Sequence, residues 1–240
     1  MRRKASPSEE IDRLFRQAET EKTNGRLIEA VALAEQARGI GETKYGMEHP
    51  QLGHLLFRII KLYINMDPKF LLSRLLYLKI LSYAQIAISS LKKEEKKNWF
   101  EIVFCYASVC AVYIFTKKPQ DVLSPAQKGL EILDRYGEGR RVNKLRLSLI
   151  CSLELGQVVK GKSMEAESTN DKMLQDMDNG LIPKEPSIYF LGARQKLKSE
   201  KYPEALKYGK DGLRVIIESD QNSDKELSIA LFTLCVIMDV

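Results

Sequence analysis

Between Leu27 and Tyr63 the chain carries two apolar patterns of helical period separated by a polar loop ending in Glu48-His49-Pro50. In LIEAVALAEQA, Ala30, Ala34 and Ala37 recur at spacings of four and three, which lays small side chains along one helical face. In QLGHLLFRIIKLY, Leu52, Leu56, Ile59, Ile60 and Tyr63 build a large apolar face with the same period. Small side chains let a second backbone approach closely, and large ones must be covered. Neither helix buries its stripe alone, so the pattern predicts neighbours of the same kind and an all-α chain of antiparallel helix pairs.

The chain has 240 residues, 44% of them hydrophobic, enough to bury a substantial core as one elongated array or at most two compact domains. Net charge is +6, with Lys and Arg interspersed among Asp and Glu, a mild leaning toward acidic partners. Four cysteines without a paired spacing, and no apolar stretch behind the basic start MRRKASPSEE, point to a reducing, cytoplasmic setting. Residues 1–8 read as a basic flexible tail. Ser6 or Ser8 can cap the helix that follows, with Pro7 in its first turn, Glu9 and Glu10 at the positive end of the dipole, and an end near Asn24-Gly25. Arg2 and Arg3 before Ser6, with Pro7 after it, also match a kinase substrate site.

The segment NGRLIEAVALAEQARGIGETKYGMEHPQLGHLLFRIIKLY resembles tetratricopeptide repeats, particularly the long kind found in kinesin light chains. Tyr106, Val109, Cys110 and Tyr113 fall at the four helix A positions of that pattern, as do Leu56, Ile59, Ile60 and Tyr63. The fifth unit offers Tyr189, Gly192 and Ala193, then Tyr202, Glu204 and Ala205. The early helix B position falls at Ala30, Ser73, Val122, Ala166 and Ala205, while Gln17, Glu21, Glu154 and Gln157 depart from the pattern. The resemblance implies an α-solenoid over 9–240, with units near 9–48, 49–93, 96–138, 141–180 and 185–219 and a terminal helix at 224–239. These units exceed the minimal repeat, so longer helices or loops are expected, with KKEEKK at 92–97 in one such loop.

Ile102 to Thr116 is uncharged but shorter than the roughly 20 residues of a membrane span, so a central helix covered by neighbours is expected, and no membrane partner. Cys105 and Cys110 read as buried small hydrophobes, and no metal cluster or cofactor is expected.

Residues 156–163, GQVVKGKS, satisfy the phosphate-loop pattern. A nucleotide-binding alternative assigns Gly161, Lys162 and Ser163 to phosphate and magnesium. The competing expectation is a turn between two helices, with Gly161 where Gly25 falls in the first unit and Lys162 and Ser163 as turn and cap residues. A second alternative, an RNA-binding solenoid, would use the basic runs at 140–146 and 194–201.

No constellation for acid–base or nucleophilic catalysis is visible, so a non-catalytic scaffold or adaptor is expected. In a repeat array the helix A residues line the concave face. That register nominates Phe15, His54, Phe57, Lys61, Asn65, Phe190, Arg194 and Lys198 for binding a peptide with acidic and aromatic or apolar groups. The apolar LSIALFTLCVIMDV at 227–240 suggests self-association, or a fragment or isoform of a longer array.

Overall fold

A computed structural model describes residues 6–64, 66, 74–137, 140–180 and 184–218. The basic start, Asn65, Ser73, Cys235 and the expected terminal helix lie outside these residues. All regular structure among them is helical: α1 (Pro7–Thr23), α2 (Leu27–Tyr45), α3 (Pro50–Ile64), α4 (Arg74–Leu91), α5 (Glu95–Phe115), α6 (Leu123–Tyr136), α7 (Arg140–Val159), α8 (Ser163–Asp178), α9 (Pro186–Lys198) and α10 (Tyr202–Glu218), with short 3-10 turns at Lys92–Glu94 and Pro119–Val122. KKEEKK is therefore no loop: it supplies a 3-10 turn and the first residues of α5. The helices gather into two compact units, Met1–Glu138 and Gly139–Val240, each described here by itself.

In the first unit α1 starts with a capping box. The Glu9 N–H donates to the Ser6 hydroxyl at 3.3 Å and the Ser6 N–H donates to the Glu9 carboxylate at 2.7 Å. These bonds hold the Glu9 carboxyl below its ordinary value. Lys44 near the end of α2 reaches Ser8 at the start of α1, so the two helices run antiparallel. Ala30, Ala34 and Ala37 are fully buried, as the spacing predicts. Gly41 then meets α3, where an added Cβ would lie 2.5 Å from Leu55. All five large residues of the α3 stripe are buried, each worth about 1.5–3 kcal/mol over exposure.

A charged hub ties three of these helices together. The Glu35 carboxylate of α2 accepts hydrogen bonds of 2.8 Å from Tyr63 of α3, from Lys79 and Tyr83 of α4, and from its own neighbour Arg38. Burial pushes this carboxyl up, but the four donors outweigh it and hold it at about 2.

Helix α5 is buried through Ile102, Val103, Cys105, Tyr106, Ala107, Ser108, Cys110 and Val112. The run Leu75–Phe115 is long and apolar enough, by length and composition, to cross a membrane. It is not one rod. The 3-10 turn interrupts it, and Asn98, with φ −109° and ψ 15°, kinks it while its side chain donates to the Leu91 carbonyl at 3.1 Å.

One turn recurs. Gly25, Lys117, Gly161 and Glu200 all have positive φ, between 58° and 77°. At each, the residue's amide bonds the carbonyl three back, and the next amide bonds the carbonyl four back from the same point. Five residues further on stand Ala30, Val122, Ala166 and Ala205, none more than 1% exposed. Gly161 thus occupies the place of Gly25. In the second unit Lys196, only 4% exposed, bonds Glu167 at 2.7 Å and Asp171 at 3.0 Å on α8 and pairs with Glu204 on α10 at 3.5 Å.

Candidate peptide-binding face

The nominated residues of α3 lie on one strip of the helix, and contacts on both sides set that strip between α1 and α5. Arg58 bonds Asp12 of α1 at 2.8 Å, and its guanidinium sits 4.2 Å from the centre of the Phe15 ring. On the other side Phe57 meets Phe104 of α5 edge-on, with ring centres 5.3 Å apart, and His54 Nδ1 lies 3.9 Å from Glu101. Lys61 is exposed one turn beyond Phe57, with no ionic partner among the described residues. The strip offers partly exposed aromatic edges flanked by cations.

Two nominated aromatics are placed otherwise. Phe15 is 5% exposed and roofed by Arg58, and Phe190 is 8% exposed beside Ile216, against Gly212 of α10. Both are packing residues here, because the period of a helix fixes which side chains share a face and not which neighbour covers them. Arg58, absent from the sequence nominations, reaches from α3 to Asp12 and Phe15 of α1. Its place between His54 and Lys61 at spacings of four and three was the available signal. In the second unit Arg194 and Lys198 are exposed one turn apart on α9.

GQVVKGKS does not form a phosphate loop. Gly156 to Val159 are the last residues of α7, and no strand precedes them among the described residues. The Gly161 and Lys162 amides already donate to the carbonyls of Val158 and Gln157, at 3.1 and 2.9 Å, and the Lys162 ammonium pairs with Glu165 at 2.8 Å. The groups that would wrap a phosphate are engaged within the turn. Lys162 caps α8 and Ser163 is its first residue. The basic run at 194–201 is likewise not a uniform solvated patch, since Lys196 is buried among carboxylates.

No group of three or more His, Cys, Asp or Glu among the described residues could hold a metal ion. Cys105 and Cys110 are fully buried, and burial pushes the Cys105 thiol up to about 12, far from a reactive thiolate. A separate open groove of about 680 Å³ runs between α1 and α2, lined by Pro7, Glu10, Leu14, Gln36, Ile40 and Lys44, and contains none of the nominated residues. No protein-family model matches the chain, and no curated protein sequence matches it either.

Proposed function

We propose that this chain is a non-catalytic, cytoplasmic helical-repeat adaptor of the tetratricopeptide kind that binds peptide segments of partner proteins across α1, α3 and α5. The observation that carries this reading is the set of side-chain contacts that tie α3 to α1 through Arg58 and to α5 through Phe57 and His54. These contacts leave His54, the edge of Phe57, Arg58, Lys61 and Phe104 on one strip. Such a strip suits a segment with an aromatic or large apolar anchor and a carboxylate one helical turn away. The recurrent turn with its buried small residue five places on supports the repeat part of the reading. Arg194 and Lys198 extend the same chemistry to the second unit.

The test is a peptide-display selection on the full chain. Enriched peptides should pair Phe, Trp or Leu with Asp or Glu, and Lys61→Glu should weaken them about tenfold, a loss of roughly 1.4 kcal/mol, with unchanged circular dichroism. Equal binding by wild type and Lys61→Glu would remove this face from consideration.

A further inference from the structure

Counting back seven residues from each left-handed turn residue gives Ala18, Cys110, Glu154 and Ala193. All four are buried, at 0%, 0%, 2% and 0% exposure. Three are small; the fourth is a carboxylic acid. Its Oε1 accepts a hydrogen bond from the Gln195 side-chain amide, which reaches across from α9. Two atoms of this pair are buried with no hydrogen-bond partner: Glu154 Oε2 and Gln195 Oε1.

If Glu154 is ionised, both are acceptors, and a buried carboxylate oxygen goes unmatched at a cost of about 1–3 kcal/mol. If Glu154 carries a proton on Oε2, they become donor and acceptor. The N–H···O bond already present and the O–H···O bond then close a two-bond ring between acid and amide. We propose that Glu154 and Gln195 form such a proton-carrying ring, a latch that holds α9 on α7 when the carboxyl is protonated and loosens when it releases its proton to solvent.

The surroundings agree. Burial pushes the Glu154 carboxyl up to about 7, against smaller downward pulls from Gln195 and Lys198. Lys198, exposed on α9, is the cation acting on it, and Cys151 on its own helix, itself pushed up to about 11 by burial, supplies none. On α8 the charges Glu167 and Asp171 are engaged with Lys196, while the buried Asn170 adds further unmatched polar atoms. The inference is independent of the peptide-binding face.

Carbon-13 NMR of glutamate carboxyls in the full chain tests it. One glutamate should titrate near neutrality in wild type and be missing in Glu154→Gln, whose amide can close the same ring without a titrating proton. Hydrogen exchange of α9 amides, corrected for intrinsic rates, should lose protection roughly 10- to 100-fold from about pH 5 to about pH 8 in wild type. It should stay flat in Glu154→Gln. A wild type in which every glutamate titrates below about pH 6, or a Glu154→Gln chain that keeps the wild-type pH dependence, overturns the latch. The carboxyl titration needs no variant, so it decides even if the substitution unfolds the unit.

Discussion

Tyr83 of α4 donates its hydroxyl between the two carboxylate oxygens of Glu35 on α2, 2.8 Å from each. Lys79, one turn before Tyr83, reaches the same carboxylate, so two long side chains of α4 span to α2, with Tyr63 of α3 joining them. Glu35 keeps only 19% of its side-chain surface, and Lys79 and Arg38 keep about 30% each, so solvent screens the pairs without abolishing them.

Replacing that carboxylate should be costly for the first unit. Glu35→Ala strands two tyrosine hydroxyls and the Lys79 ammonium and leaves Arg38 with Glu42 alone, and the expected loss is about 2 kcal/mol after allowing for screening. The folded carboxyl is held at about 2, below its ordinary 4.5, so its stabilisation is present above about pH 4.5 and lost as pH falls toward 2. Urea unfolding across that window should show a slope in wild type that is reduced in Glu35→Gln.

Beyond the local pair of Glu35 and Arg38, this hub was not legible in the sequence. Tyr63, Lys79 and Tyr83 lie 28, 44 and 48 residues from Glu35, and no local period links them. What local period does carry was read correctly: the alanine stripe of α2, the apolar stripe of α3, and the inert cysteines of α5. The same logic placed Gly161 in a helix–helix turn over the literal match to a phosphate-loop pattern, because it falls where Gly25 falls in the first unit. It could not place Phe15 or Phe190, whose burial depends on Arg58 and on α10.

Close packing of α3 on α4 gives a paired prediction. A Cβ on Gly53 would lie 2.4 Å from the Ser90 hydroxyl and 2.7 Å from Leu91 Cγ, whereas one on Gly39 meets nothing within 4 Å. Gly53→Ala should destabilise by about 1–3 kcal/mol as the helices are forced apart. Gly39→Ala, in the interior of α2, should stabilise by about 0.5–1 kcal/mol. Thermal unfolding of the two variants should therefore move in opposite directions.

The recurrent turn makes a third. Lys117 and Glu200 hold φ of 58°, a left-handed conformation that costs a residue with a Cβ roughly 1 kcal/mol relative to glycine. Lys117→Gly and Glu200→Gly should each raise stability by up to about 1 kcal/mol. Gly161→Ala, at φ 72°, should lower it by about the same amount. Denaturant midpoints at unchanged m-value would check all three.

The tie between each left-handed residue and the buried side chain five places later also limits where this chain can change length. Inserting one residue inside that clip would rotate the second helix by about 100° and turn its small contact away from the partner. Additions are tolerated only where one pair hands over to the next. Lineage variation in such a protein should therefore accumulate around the loops after Tyr45 and Asp178, leaving the hairpin bends fixed in size.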